Sequence, residues 1–255
     1  MAHLQTIYDN SRTPGFSLAL CREFSHLSQL AYWSERDIQS LMSIEPLCRS
    51  AVMIDRDDAQ CLAVQLPNCS LLAFRGTELN IVDWLRNLDY RKEPWRVGHI
   101  HRGFGHEWNL LADDIRGWLV DNNAGPVFLM GHSKGGAEAQ AGVHDVSQWG
   151  YSIGGIYTFG SPRLFSSPAQ QWYDSKFGLR SWRVKHSNDI VCHTPPCWRD
   201  YVHAGQFVYL GEDGGVTLHL KGWAKWRRQL RSYRADAVED HFIEGYCEAL
   251  DNSLE

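Results

Sequence analysis

The feature that most constrains this chain is the stretch PVFLMGHSKGG, residues 126–136. An apolar run ends in Gly131-His132-Ser133-Lys134-Gly135, and Ala-rich helical sequence follows. Strand, G-x-S-x-G, helix is the context that a nucleophile elbow requires. The turn is so tight that positions two before and two after the serine must lack bulky side chains, and glycine meets that need along with permissive backbone angles. Ser133 would then project its hydroxyl from a strained turn at a helix N-terminus, whose dipole favours developing negative charge. The short motif alone occurs by chance in many chains; its flanks make it informative.

A chain of 255 residues suits one large α/β domain, and residues 1–255 are read as a single domain able to bury an ample core without staples. A formal net charge of −5 argues against a nucleic-acid-binding protein. No apolar run approaches the roughly 20 residues needed to cross a bilayer, and the N-terminal MAHLQTIYDNSRTPG has neither a basic start nor an apolar h-region. The expectation is a soluble chain without transmembrane segment or visible export signal, cytoplasmic or exported by another route. Seven cysteines form no CxxC pair and read as buried free thiols. Cys192, His193 and Cys197, with His186 and His203 nearby, fit no common zinc spacing, so no metal is expected. Eleven tryptophans imply a large aromatic core or an amphipathic surface, and composition does not choose between them.

Hydrophobic periodicity organises the rest. Residues 17–32 carry Leu20, Phe24, Leu27 and Leu30 at helical spacing, and Ser34 with Asp37 looks like the capped start of a second short helix. Three apolar runs, 51–55, 61–66 and 70–75, are bounded by Asp, Asn and Pro turns and read as strands. Helical spacing returns at 107–120. Then come strand 127–130, helix 137–146, strand 154–160, helix 167–177 and strand 180–185. Strands alternating with helices predict a mainly parallel central sheet covered by helices on both faces.

A serine hydroxyl is a weak nucleophile, so it needs a neutral imidazole to accept its proton and a carboxylate to hold that imidazole. On a sheet of this kind the partners follow in the order serine, acid, histidine, in loops after strands. Asp189 fits, because it follows strand RSWRVK inside KHSNDIVCHTPP, where paired prolines fix the loop. Asp174, Asp200 and Asp213 are less well placed. For the base, His241 in DHFIEGYCEAL is preferred, with His219 second. The oxyanion that forms on a tetrahedral intermediate needs donors. The N–H of Lys134 supplies one, and Thr77 in LLAFRGT the other, with Gly76 allowing close approach.

With AFRGT, DWLRNL, HRGF, GHSKGG, TFGSPR and NDIVxHxPP in this order from about Leu71 to His241, the sequence resembles the class 3 lipase family. The resemblance implies an α/β-hydrolase fold, a nucleophile at Ser133, an acid at Asp189, a base at His241, oxyanion donors at Thr77 and Lys134, and no cofactor. Two departures stand out. Lys134 occupies a position where the family commonly has an apolar residue, so its charge would alter acyl-group access or depend on an acidic neighbour. Cys192 stands where proline is frequent, which would loosen the Asp189 loop.

The resemblance also implies a lid over Glu78–Tyr90, with Ile81, Trp84, Leu85 and Leu88 on one helical face. A permanently packed amphipathic helix is the alternative. Residues 220–234 carry Lys221, Lys225, Arg227, Arg228, Arg231 and Arg234 without an acidic residue, interleaved with Trp223, Trp226, Leu230 and Tyr233. Such a face suits an anionic lipid interface, or else a solvated helix paired with Asp236, Glu239 and Asp240. The expected activity is hydrolysis of carboxylic esters, foremost triacylglycerols at a lipid–water interface, through an acyl-enzyme. The alternatives are a lidless esterase on feruloyl-type, phospholipid or short soluble esters, and a non-catalytic binding protein on the same scaffold.

Overall fold

The structure is a computed structural model that describes residues 2–12, 15–77, 81–218 and 237–254. Its centre is an eight-stranded sheet built from β1 (Ser50–Arg56), β2 (Ala59–Gln65), β3 (Ser70–Phe74), β6 (Val127–His132), β7 (Ile153–Phe159), β8 (Ser181–His186), β9 (Gln206–Leu210) and β10 (Val216–Leu218), in that spatial order. The five strands from β3 to β9 run parallel, and antiparallel hairpins close both ends. A short separate ribbon pairs β4 (Lys92–Pro94) with β5 (His99–His101). This is the mainly parallel α/β-hydrolase arrangement expected from the sequence.

Both faces of the sheet are covered because the parallel strands are apolar on both. Alternation along β3 sends Leu71 and Ala73 to one core and Leu72 and Phe74 to the other. On the first face lie α1 (Leu4–Asn10), α2 (Leu18–Leu30) and α8 (Ile243–Asn252), with Phe24 and Leu27 fully buried. Each such side chain contributes about 2–3 kcal/mol of transfer free energy. On the second face lie α5 (Arg102–Asn122), α6 (Lys134–Gln148) and α7 (Ser167–Phe177), the first through Trp108, Leu111, Ile115 and Leu119 at helical spacing.

The Ser17 hydroxyl accepts from the Leu20 N–H and caps α2. The second predicted helix is α3 (Glu35–Met42), and the Ser34 hydroxyl accepts from the Asp37 N–H as its capping pattern implied. The structure adds α1 ahead of these two helices, seated on the core by Leu4 and Ile7, so three helices and not two open the fold. The tryptophans serve mainly the interior: Trp108 and Trp182 are buried, Trp84, Trp95, Trp118, Trp149 and Trp172 pack partly buried, and Trp33 and Trp198 are exposed. His219 and the basic segment 220–234 lie outside the described residues, as do Glu78–Asn80 of the lid region.

Candidate active site

Ser133 sits between β6 and α6 with φ 57° and ψ −130°, a strained conformation for a residue with a side chain. The strain is held by packing on both sides. A Cβ on Gly131 would lie 2.8 Å from the Gly136 nitrogen, so the strand and helix can approach only through glycine. The neighbouring loop closes in as well: a Cβ on Gly76 would lie 2.8 Å from the His132 carbonyl oxygen and 3.0 Å from Ser133 Cβ.

Three side chains far apart in sequence meet here. The Ser133 hydroxyl is 2.9 Å from His241 Nε2, and His241 Nδ1 is 2.9 and 3.0 Å from the two Asp189 oxygens. The one N–H of a neutral imidazole at Nδ1 can donate to the carboxylate, leaving Nε2 to accept from the serine. Ser133 is 1% exposed, His241 2% and Asp189 0%, so the hydroxyl is sealed from solvent in this state. His241 ends a short 3₁₀ turn, Glu239–His241, immediately before α8, and Asp189 lies in the loop after β8.

Asp189 is more heavily bonded than its motif suggests. Its Oδ1 accepts from the Val191 N–H at 2.8 Å and its Oδ2 from the Tyr246 hydroxyl at 2.6 Å. Burial pushes this carboxyl up, but the His241 imidazole and these hydrogen bonds outweigh it, and the group stays below the usual carboxylate range. Tyr246 was not singled out from the sequence; its position on α8, five residues after His241, is the only local signal. Cys192 is buried in a 3₁₀ turn, Val191–His193, and the backbone of this turn supplies the bond to Asp189.

A second buried imidazole supports the base. His132 Nε2 donates to the His241 carbonyl at 2.7 Å, and its Nδ1 accepts from the Tyr32 hydroxyl at 2.8 Å. Burial, reinforced by His241, pulls the His132 pKa down to about 3, so the ring is neutral as this bonding requires. The Tyr32 hydroxyl also lies against Gly76, where an added Cβ would meet it, and Thr77 is half-buried next in the chain. The Lys134 N–H is the first of α6, a position with no acceptor inside the helix.

The Lys134 side chain turns away from the serine. Its Nζ donates to Glu107 Oε2 at 2.6 Å and to the Asp58 carbonyl at 2.5 Å, and lies 3.5 Å from Glu138 Oε1. Burial and the adjacent Glu107 push the Glu138 carboxyl well above its usual range. The acidic neighbour that the charge needed is therefore Glu107 of α5, with Glu138 beside it at the i,i+4 spacing visible in KGGAE. A cleft of 420 Å³ bordered by Arg75, Gly76, Thr77, Trp84, Glu107 and Lys134 adjoins the loop.

A profile of the family described as Lipase (class 3) matches residues 71–198, half of the sequence. The chain belongs to the class 3 lipase family. Among curated relatives of this lipase-family chain, the lipase of Rhizopus niveus is 30% identical over 146 residues, covering 52% of this chain and 36% of the relative. The secreted mono- and diacylglycerol lipase A of Penicillium camembertii is 25% identical over 170 residues, 64% of this chain and 55% of that one. The aligned part thus spans about a third to just over half of these relatives. Among solved structures, lipase II of Rhizopus niveus superposes with a TM-score of 0.69 at 19% identity, over 92% of this chain and 99% of that one. The lipase of Rhizopus microsporus var. chinensis gives 0.70 at 20% identity, over 92% and 91%. These likenesses show the α/β-hydrolase fold.

The helix α4 (Ile81–Asn87) occupies the lid segment of this lipase-family chain. Ile81 is buried, and Trp84, Leu85 and Leu88 are half-buried, with Trp84 stacked on Phe104 of α5 at a centroid distance of 6.3 Å. The predicted apolar face therefore packs inward, above a cleft of 540 Å³ that Trp84, Leu88, His101 and Phe104 help to line. No described helix is long and apolar enough to cross a membrane, and no three His, Cys, Asp or Glu side chains among the described residues converge as a metal ion would need.

Proposed function

We propose that this chain is a single-domain hydrolase of carboxylic esters, acting on acylglycerols through an acyl-enzyme on Ser133. The observation that carries the reading is the unbroken run of hydrogen bonds from the Ser133 hydroxyl through His241 to Asp189 at the N-terminus of α6. In this reading His241 Nε2 takes the hydroxyl proton as Oγ attacks the ester carbonyl, while Asp189 holds the ring and stabilises the imidazolium. The N–H groups of Lys134 and Thr77 receive the oxyanion, aided by the α6 dipole. His241 then protonates the departing alcohol. A water molecule, activated by the same imidazole, releases the acid and restores the serine.

Acylglycerols are favoured over short soluble esters by two observations. Relatives described as lipases and as a mono- and diacylglycerol lipase share the matched region. The nucleophile is buried, and Trp84 of a short helix whose apolar face is turned inward lines the cleft that Gly76, Thr77 and Lys134 border, an arrangement from which movement of that helix at a lipid–water interface would open the cleft. No cofactor or metal takes part.

The test is labelling with a fluorophosphonate, followed by turnover of emulsified di- and triacylglycerols. Wild-type protein should be labelled at Ser133, and Ser133→Ala should lose labelling and at least ~10⁴-fold of activity. An unlabelled, folded wild type would sink the hydrolase reading. Labelling with turnover confined to short soluble or feruloyl esters would leave the mechanism standing and replace the substrate class.

A further inference from the structure

Arg163, Arg183 and Lys185 converge on one cavity of 390 Å³ between β8, β9 and α7, a volume in the range of small-ligand pockets. Ser133, Asp189 and His241 are not among its lining residues. Arg183 and Lys185 share a face of β8 by their i,i+2 spacing, and Phe207 and Tyr209 share the facing side of β9. Arg163 enters from the loop after β7, and Gln170 from α7.

The two arginines keep donor capacity that the described contacts do not use. The Arg183 side chain is 7% exposed, its guanidinium carbon lies 4.6 Å from the centroid of the Phe207 ring, and its buried Nε has no hydrogen-bond partner. Burial pulls its pKa down to about 10, so it remains charged at neutral pH. Arg163 Nη1 donates to the carbonyls of His193 and Pro195, which positions the guanidinium without neutralising it. Neither arginine is in an ion pair among the described residues. Asp174 is the one carboxylate in the described lining, and its oxygens are taken by the Gly205 N–H, at 2.7 Å, and by Gln170 Nε2. Lys185 Nζ lies 2.9 Å from His193 Nε2 and donates to it, so His193 adds a neutral ring to the wall. Neither guanidinium is in contact with the Asp174 carboxylate as an ion pair, and a guanidinium taken from water without such a direct partner carries a desolvation cost that an anion in the cavity offsets.

We propose that this cavity is a binding site for a phosphate group, held by Arg183, Arg163 and Lys185. A planar carboxylate is satisfied by one arginine fork, whereas cations approaching from a strand and a separate loop match the several oxygens of a tetrahedral phosphate. The group belongs either to a free phosphate monoester or to a lipid whose head is a phosphate monoester, as in phosphatidic acid. The proposal does not depend on the ester-hydrolase reading.

Cys197 lines this cavity and is the exposed thiol among the described cysteines, which gives a direct reporter. Its alkylation is followed by peptide mass mapping in wild-type protein at fixed ionic strength. Inorganic phosphate at about ten times its Kd should slow the reaction about tenfold where the same ionic strength of chloride does not. A folded Arg183→Gln variant should need about ten times more phosphate for equal protection. Protection only by vesicles of phosphatidic acid in phosphatidylcholine, and not by inorganic phosphate or glycerol 3-phosphate, assigns the group to a lipid head. Protection by the free anions assigns it to a soluble ester. Equal rates in phosphate, chloride and both vesicle types would overturn the site, as would protection by pure phosphatidylcholine vesicles equal to that by phosphatidic acid. Should Arg183→Gln fail to fold, the wild-type comparison decides alone.

Discussion

Asp189 is fully buried, yet it remains ionised because the His241 imidazole, the Tyr246 hydroxyl and the Val191 N–H all favour its charged form. In the proposed mechanism that charge fixes the imidazole tautomer, so loss of any one of these bonds reaches Ser133 through the ring. Asp189→Asn should remove most activity, because an amide donating to Nδ1 would force the proton onto Nε2, where the serine must donate. Tyr246→Phe is the finer probe. A hydrogen bond to a charged group contributes about 1.5–3 kcal/mol, only part of which is felt in the transition state, so kcat should fall about tenfold with KM nearly unchanged. Steady-state kinetics on one soluble ester checks this, and an unchanged kcat would mean that Tyr246 only packs α8 against the sheet.

At the level of elements, Lys134 ties α6 to α5 through Glu107, across the floor of the proposed oxyanion site. Removing one partner of a buried pair leaves the other charge uncompensated, so Lys134→Met should cost about 3 kcal/mol at neutral pH. Lys134→Met combined with Glu107→Gln should recover most of that loss. Urea unfolding of the two single variants and the double variant gives the coupling, and strict additivity would count against the pair. Helix α4 makes a second element-scale prediction. Trp84→Ala removes the stack on Phe104, so the helix should release more readily: activity on a dissolved short-chain ester should rise, and the jump at the substrate's solubility limit should shrink. A wild-type rate that follows a smooth hyperbola through that limit would remove the case for a moving lid. Elements with a clear period were legible in the sequence, down to both bounds of α7 and the first residue of the strand entering Ser133, which runs two residues further than its apolar run of 127–130. Those missed are short and marginal. LQTIYDN offers only Leu4 and Ile7 to the core, and QFVYL pairs near the sheet edge with three of its five residues only half-buried, which blurs alternation. The three side chains of the candidate site were legible because each sits in a local motif. Tyr32 and Tyr246 were not, since their roles come from tertiary contacts spanning 100 and 57 residues.

Across the whole molecule, several buried or half-buried imidazoles are held neutral, and this sets how the fold should respond to acid. Burial pulls the pKa of His101 down to about 4, of His132 to about 3 and of His193 to about 4, and holds His203 well below the usual value. In the unfolded chain each titrates near 6.5, so between about pH 6.5 and pH 4 the unfolded state binds protons that the folded state refuses. Their contribution to stability is therefore present above about pH 6.5 and is lost as the pH falls toward the folded values. Glu138 acts in the opposite sense, since its raised pKa lets the folded state hold a proton that the unfolded carboxylate has released. The balance near pH 5 is roughly three protons taken up on unfolding, a slope of roughly 4 kcal/mol per pH unit. Typical domains have 5–15 kcal/mol in total, so the protein should unfold cooperatively between about pH 5 and pH 4. Urea titrations at intervals from pH 7 to pH 5 measure the slope directly. His132→Gln should reduce it by about one proton, whatever its effect on stability at pH 7. A slope near zero over this interval would mean that these rings are already charged, or already exposed, in the folded state.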